Sequence, residues 1–206
     1  MTNSLRLFML LLGCKPKGRF TEQHDIFFDI GTDLKSLVPH IREYWPEGGE
    51  KLHIDAWREV TQVDACRVDV IPRSAAHAPS APLDPSAPLD PSTLQDPPPQ
   101  RLFFINLGGY KPDEFDEFHY KMIVAAADKG EASRKAKESA FYRHTGFSGA
   151  ESHIDDKYGV DVDDIYAIED ILPPSIKTRY SLRLTHDVNS NRTDPIRLGY
   201  FQLHKL

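Results

Sequence analysis

The sequence predicts an α+β fold in which two copies of a β-β-α-β-β module pack with pseudo-twofold symmetry and a C-terminal β-hairpin follows. Three observations predict it: two sequence blocks occur twice, each copy combines short apolar runs with one segment of helical periodicity, and a proline-rich segment separates the copies. The predicted first module covers residues 5–73, the linker 74–100, the second module 101–173 and the hairpin extension 174–206.

The repeated blocks are the basis for the duplication. When residues 7–24 are moved by 95 positions without a gap, LFMLLLGC falls on LFFINLGG and TEQH falls on DEFH. A second block, His53-Ile54-Asp55, recurs as His153-Ile154-Asp155 after a shift of 100 positions. Self-similarity at a fixed spacing predicts two similar halves. The first shift aligns Leu7, Phe8, Leu12, Gly13, Phe20, Glu22 and His24 with Leu102, Phe103, Leu107, Gly108, Phe115, Glu117 and His119.

In the first module, a continuous apolar run that Gly13 closes predicts a strand buried on both faces. Apolar residues at helical spacing after Asp33, the predicted N-cap, indicate a helix that reaches Trp45. Pro39 is expected to kink this helix or to move its start later. The predicted strands are residues 7–12, 21–30, 51–58 and 66–71.

Residues 74–100 differ in kind from both modules, because they contain most of the prolines and a tandem APLDPS. This composition predicts an extended or disordered spacer. No basic residue flanks a P-x-x-P motif, so a plain linker is favoured over a ligand for an SH3-type domain.

The second module repeats the pattern, and two further strands follow it. Its helix is predicted over residues 130–144, ended by Gly146, with a basic exposed face. After it, residues 180–184 and 196–203 alternate apolar and polar side chains around a polar loop, which predicts a hairpin that covers an edge of a sheet. The predicted strands of the module are residues 102–107, 117–126, 153–158 and 161–171.

The first fourteen residues resemble a bacterial lipoprotein signal, since an apolar run ends in LLGC. The same pattern recurs at residues 102–109, deep inside the chain, where no signal can act. The run is also far shorter than the roughly 20 residues that a membrane span needs. We therefore predict a buried strand, no membrane association and a cytoplasmic location. Cys14 and Cys66 form no recognisable framework, which favours reduced thiols.

A formal net charge of −6 argues against a nucleic-acid partner, because binding to phosphates needs a basic surface. The acidic residues between 155 and 164 lack the spacing of a calcium loop and are interpreted as a solvated or partner-facing surface. Gly13, Gly108 and Gly109 follow strands without a phosphate-binding motif. No specific motif implies a cofactor, and none of the common hydrolase motifs is present.

Two sets of histidines and carboxylates are the candidate site. Residues two apart on a strand project to the same side, so neighbouring strands could bring the members of each set together. Imidazole with carboxylate suits zinc, iron or manganese and also acid–base catalysis. The alternative is a hydrogen-bonded polar network that holds the strands in place. The candidates are Glu22, His24, His53 and Asp55 in the first module, and Glu117, His119, His153 and Asp155 in the second.

The motifs L-G-G/C, F-x-E-x-H and H-I-D resemble the bacterial family catalogued as domain of unknown function 1543, whose members often carry the domain twice. The resemblance covers about residues 5–72 and 101–173 and implies a small cytosolic bacterial protein without an established activity. Two hypotheses for function therefore stay open. One is a non-enzymatic interaction protein, an adaptor or inhibitor, with a protein partner or a second copy of the chain. The other is a metal-binding protein or metal-dependent enzyme that uses the histidine and carboxylate sets.

Overall fold

The computed structural model describes residues 4–76, 99–110, 113, 115–138, 162–187 and 193–206. Within these residues the fold is α+β and mostly antiparallel sheet, with three sheets and few helices. The chain divides into two compact units, of which the first joins Met1–Arg73 with Glu169–Leu206 and the second is Ser74–Ile168. The C-terminal segment therefore belongs with the first unit. The predicted linker lies almost entirely outside the described residues.

The first unit is built on a four-stranded sheet with the order β10-β3-β1-β2. The continuously apolar first strand lies between two neighbours, because both of its faces can be buried. Its even-numbered residues from Phe8 to Cys14 belong to the core cluster. The strands of this sheet are β1 (Arg6–Cys14), β2 (Gln23–Gly31), β3 (His53–Val60) and β10 (Arg197–Gln202).

Helix α1 (Leu34–Tyr44) covers the core face of this sheet. Asp33 is its N-cap, as predicted, and forms a capping box with Ser36. The helix continues through Pro39, so the proline does not move its start later. Leu37 and Ile41, one turn apart, are fully buried against the sheet.

The predicted C-terminal hairpin is wrong, because its two strands join different sheets. β9 (Tyr180–His186) pairs with β5 (Cys66–Pro72), next to the short β4 (Gln62–Val63). β10 instead pairs with β3 and covers the edge of the first sheet. Each of the two strands pairs with a strand that is distant in the sequence. Alternation of apolar and polar residues shows which face is buried and does not identify the neighbouring strand.

Asp194 holds the segment before β10 against the end of β3. Its carboxylate accepts hydrogen bonds from the backbone N–H of Thr61 at 2.7 Å and of Gln62 at 3.0 Å. It also accepts one from the Thr61 hydroxyl at 2.5 Å. Three donors on one carboxylate fix the position at which β10 meets β3.

The second unit contains a three-stranded sheet with the order β7-β6-β8 and one helix on it. The helix packs through the small residues Ala132 and Ala136. It begins at Lys129, and its predicted end at His144 lies outside the described residues, as does the predicted strand 153–158. The elements are β6 (Arg101–Tyr110), β7 (Glu117–Ala126), α3 (Lys129–Lys137) and β8 (Val162–Ala167), with α2 (Arg73–Ala76) before them.

The last predicted strand of the second module, 161–171, is only partly a strand. β8 ends at Ala167, and Ile168–Ile171 forms a short helix, α4, with Pro174–Lys177 forming α5 after it. Ile168 and Leu172, four residues apart, are both buried.

The strand that pairs with β6 is β8, which differs from the strand that the sequence comparison predicted at this place. Leu10 pairs with Trp57 in the first sheet, and Ile105, 95 residues later, pairs with Ile165 in the second. β8 therefore takes the place that β3 holds, whereas the shift of 100 had predicted residues 153–155 there. In both sheets the first strand is central, and its register with the neighbouring strand shifts between Leu11 and Leu12 in one and between Asn106 and Leu107 in the other.

Candidate functional site

The candidate site lies where three strands of the first sheet meet at Gly13. Gly13 on β1 pairs with His24 on β2 and with His53 on β3. Residues directly opposite each other in an antiparallel pair share a face of the sheet. Both imidazoles therefore project beside the glycine, on the face opposite to α1.

A β-bulge places Asp55 in this site. The register between β1 and β3 shifts between Leu11 and Leu12, which face Ala56 and Ile54, so Asp55 is the additional residue. Bulges redirect a side chain and change the alternation that follows. On a regular strand Trp57, two residues after Asp55, would share the face of His53 and Asp55, but the bulge places it on the opposite face. Trp57 instead packs against the core of the first unit, with its ring 6.2 Å from that of Phe8.

The structure brings the four predicted residues of the first module together, and we call them the Gly13 cluster: Glu22, His24, His53 and Asp55. His53 Nε2 lies 3.2 Å from Asp55 Oδ1 and 3.3 Å from Glu22 Oε1. His24 Nε2 lies 3.2 Å from Asp55 Oδ2 and 3.8 Å from Glu22 Oε2. Each imidazole thus faces both carboxylates.

The tautomer of His53 follows from its hydrogen bond to the backbone. Its Nδ1 lies 2.7 Å from the carbonyl oxygen of Lys51, which can only accept, so Nδ1 must carry a proton and donate it. In the neutral ring, Nε2 is then a bare lone pair directed at two carboxylates. Both His53 Nε2 and Asp55 Oδ2 are buried and make no hydrogen bond within the described residues.

Gly13 is required for this close approach. A Cβ on Gly13 would overlap with Asp55 Oδ2 and lie 2.8 Å from His53 Nε2. Any residue with a side chain would therefore displace the side chains of Asp55 and His53, which explains the glycine at this position. On the other side, the ring of Tyr200 on β10 lies 4.2 Å from the ring of His53.

The Gly13 cluster has a fixed inner half and an accessible outer half. The side chain of His53 is only 4% exposed, whereas Glu22 and His24 are 45% and 43% exposed. As the side chains stand, no three His, Cys, Asp or Glu residues in the described part of the chain are arranged to hold a metal ion. The exposed members would therefore have to rotate toward His53 to complete a set of ligands.

Only half of the second predicted set can be placed. His119 pairs with Gly108, as His24 pairs with Gly13, and its Nε2 lies 3.9 Å from Glu117 Oε2. His153 and Asp155 lie outside the described residues. By strand pairing, the bulge position of Asp55 corresponds to Asp163 in β8 rather than to Asp155.

A second polar group was not anticipated from the sequence. Asp29 on β2 is completely buried, and its Oδ2 lies 2.8 Å from His40 Nδ1 on α1. His40 Nε2 in turn lies 3.2 Å from the hydroxyl oxygen of Ser175 on α5. Spacing could not reveal this group, because Ser175 is 135 residues from His40. The one available signal was an Asp within the apolar run IFFDI.

Burial raises the pKa of the Asp29 carboxyl, although the hydrogen bonds with His40 and with the N–H of Ile30 oppose the shift. Burial also raises the pKa of the Cys14 thiol, to which the negative charges of Glu22 and Glu47 add. Cys14 belongs to the core cluster and is therefore on the opposite face from the neighbouring Gly13. A reactive thiolate at Cys14 is disfavoured by this environment.

The comparisons with known proteins show the fold and a family resemblance. The chain is similar in structure to the crystal structure of a protein Il1583 from Idiomarina loihiensis, with a TM-score of 0.59 and 20% sequence identity over 97% of this chain and 98% of that chain. No curated protein matches the sequence. Among the described residues, no helix is long and apolar enough to span a membrane. Residues 19–70, which contain all four members of the Gly13 cluster, match the family described as Domain of Unknown Function (DUF1543).

Proposed function

We propose that the protein binds a divalent transition-metal ion through the Gly13 cluster. The observation that carries the proposal is the buried Nε2 of His53, which has no hydrogen-bond partner among the described residues and faces two carboxylates. Three acceptor atoms directed at one another need a cation or a proton between them. A metal ion satisfies all of them at once, and the bond from His53 Nδ1 to a backbone carbonyl is the outer contact that orients a metal-binding histidine.

The spacing of the ligand atoms supports the proposal. In a tetrahedral zinc site with bonds of about 2.0 to 2.2 Å, the ligand atoms lie about 3.3 to 3.6 Å apart. Three of the four imidazole–carboxylate separations in the cluster are 3.2, 3.2 and 3.3 Å, and the fourth is 3.8 Å. These distances join the imidazoles to both oxygens of each carboxylate, so side chains must still rotate to bring one donor atom from each residue to a common centre. The exposed Glu22 and His24 have the freedom to do so.

The donor set indicates the class of metal. Two imidazoles and two carboxylates suit zinc, iron or manganese, whereas magnesium and calcium prefer oxygen ligands alone. The exposed side of the cluster leaves room for a water ligand, as in catalytic zinc sites and unlike closed structural ones. A bound water activated there would supply hydrolytic or hydration chemistry.

The test is metal titration of chelator-treated protein by calorimetry and thermal unfolding. We expect one Zn²⁺ or Mn²⁺ ion to bind per chain and to raise the melting temperature. His53→Gln and Asp55→Asn should abolish both effects, while His186→Gln, which changes an exposed histidine on β9, should preserve them. Binding that is unchanged in both cluster variants, or absent in the unmodified protein, would remove the proposal.

We also propose a protein-binding role, favoured by exposed apolar side chains. Phe20 and Phe115, at equivalent positions of the two repeats, are almost completely exposed. Ile196, Leu198 and Tyr200 are exposed along β10, which is an edge strand. Clustered exposed apolar residues on an edge indicate an interaction surface. The acidic surface predicted near residue 160 lies mostly outside the described residues.

The protein-binding role is tested by pull-down with the unmodified chain and with Leu198→Ser and Tyr200→Ser. We expect a partner or a second copy of the chain to bind the unmodified chain and neither of the two β10 variants. Phe118 in β7 lies outside this surface, so Phe118→Ser is a control for nonspecific loss of apolar area. A partner retained by both β10 variants would argue against this surface.

We further infer that the two units arose by duplication of one module. Support comes from the shared strand order around β1 and β6 and from the register shift at the same point of both. An experimental structure in which β6 had another neighbour in place of β8 would contradict it. A bacterial source and a cytoplasmic location remain predictions, and the location is checked by cell fractionation.

A further inference from the structure

We propose that Ser175, His40 and Asp29 form a nucleophilic triad that cleaves small activated esters. This site is separate from the Gly13 cluster: Asp29 lies on the face of the first sheet that α1 covers, and the cluster lies on the other face. The proposal therefore does not depend on metal binding. Its three residues meet only in the tertiary structure, from β2, α1 and α5.

The geometry assigns one role to each residue. With Asp29 ionised, Oδ2 can only accept, so the 2.8 Å contact requires a proton on His40 Nδ1. His40 Nε2 is then unprotonated and accepts from the Ser175 hydroxyl at 3.2 Å. This is the order of contacts, nucleophile to base to orienting carboxylate, that activates a serine in unrelated folds.

The burial of the three residues follows the same order. Asp29 is completely buried, the His40 side chain is 23% exposed, and Ser175 is exposed. The buried carboxylate is shielded from water, so its bond to the imidazole holds the ring in one orientation. The exposed hydroxyl is where a substrate can reach it.

The serine is also held in position by its own segment. Two prolines, Pro173 and Pro174, lead into α5, and the N–H groups of Ile176 and Lys177 both donate to the carbonyl of Pro173. Arg179 Nε donates to the backbone carbonyl of Ser175 at 3.1 Å, which places a guanidinium beside the main chain of the serine. A cation there can stabilise the negative oxygen that forms when the serine attacks a carbonyl.

The reaction is ordinary acyl transfer and needs only water as co-reactant. Ser175 Oγ bonds to the ester carbonyl carbon while its proton passes to His40 Nε2. The carbon–oxygen bond to the alcohol then breaks, and the alcohol leaves with that proton. Water next gives a proton to His40 and attacks the acyl-serine, which releases the carboxylic acid and returns the proton to Ser175 Oγ.

The test uses a fluorophosphonate probe and p-nitrophenyl acetate with the full chain. We expect one probe adduct, located on Ser175 by peptide mass spectrometry, and ester hydrolysis above the solvent background. Ser175→Ala should abolish both, and His40→Gln should slow them by about 100-fold or more. Ser181→Ala is the matched control, because the Ser181 hydroxyl donates to Glu169 rather than to a histidine.

Asp29 positions the base, so its variant needs a more specific measurement. Asp29→Asn should lower kcat with little change in KM, because it alters the ring tautomer and not substrate contact. An adduct on Ser175 that forms equally fast in His40→Gln, or no adduct in the unmodified protein, would overturn the proposal. If His40→Gln does not fold, Ser175→Ala, which removes only an exposed hydroxyl, still gives the answer.

Discussion

Gly13 in the first sheet and Gly108 in the second occupy equivalent positions but have different surroundings. Gly13 lies between two histidines on neighbouring strands, His24 and His53. Gly108 lies opposite His119 on β7, whereas the described pairing with β8 ends one residue earlier, at Leu107. The histidine of the second strand is thus common to both sheets, whereas among the described residues a buried histidine on the third strand occurs only in the first sheet.

A histidine and carboxylate pair that occurs in both sheets therefore does not by itself make a site. The i, i+2 pairs Glu22/His24 and Glu117/His119 are both present and similarly exposed. What makes the Gly13 cluster distinctive is the third strand, which brings a buried imidazole and, through its bulge, a carboxylate.

The largest effect is expected from cavities in the two cores. Leu10→Ala and Ile105→Ala each truncate a fully buried side chain and should cost about 2–5 kcal/mol of unfolding free energy. Both tryptophans, Trp45 and Trp57, lie in the first unit, so tryptophan fluorescence during urea unfolding reports that unit. Only Leu10→Ala should shift this transition. An equal shift with Ile105→Ala would show that the units unfold together.

The second prediction compares the two histidine sites directly. At a free metal concentration 100 times the dissociation constant, binding should stabilise the protein by about 2.7 kcal/mol. His53→Gln should remove this gain, because it removes the buried ligand of the Gly13 cluster. His119→Gln should keep it. Loss of the gain in both variants would contradict the assignment of the ion to the Gly13 cluster.

The third prediction concerns β10, the fourth strand of the first sheet, which has no counterpart among the described strands of the second sheet. Asp194→Ala removes the acceptor of three hydrogen bonds at the end of β3 and should cost about 1–3 kcal/mol. Asp69→Ala is its control, since Asp69 forms surface ion pairs with Arg67 and Arg183 that are worth about 0–1 kcal/mol. Equal unfolding midpoints in urea for the two variants would contradict the role of Asp194.

The smallest effect is expected in the pH dependence of the unfolding free energy, to which the carboxyl groups of Asp29 and Glu131 contribute with opposite sign. Burial raises the pKa of Asp29 above its ordinary value of 3.8, so its contribution to stability is present below that value and is lost as the pH rises through the folded pKa. The hydrogen bond from the N–H of Ala127 lowers the pKa of Glu131 below 4.5. Its contribution is present above 4.5 and is lost as the pH falls through the folded pKa.

Urea unfolding between pH 3 and 7 measures both dependences. Asp29→Asn should reduce the loss of stability with rising pH, which is followed by tryptophan fluorescence. Glu131→Gln should reduce the loss of stability with falling pH, which is followed by far-ultraviolet circular dichroism. A wild-type profile that Asp29→Asn leaves unchanged would contradict the assignment of Asp29. The two variants serve as controls for each other, because each residue lies in a different unit.

Local features of the fold were predictable from the sequence for a physical reason. An apolar run closed by glycine forms β1, and a short acidic residue before amphipathic periodicity caps α1 at Asp33, because these signals act between neighbouring residues. The i, i+2 rule also anticipated that His53 and Asp55 share a face. It failed at Trp57, because a bulge changes the alternation and no composition signal marks it.

Long-range pairing accounts for the remaining errors. β9 and β10 have the alternation of a hairpin, yet each finds an open edge in the first unit, β5 and β3. Sequence alternation states which face is apolar and not which strand lies beside it. In the same way, the sequence contains every member of the Gly13 cluster and of the Ser175–His40–Asp29 group. Only the tertiary structure brings their atoms within bonding distance, since that proximity depends on which distant segments pack together.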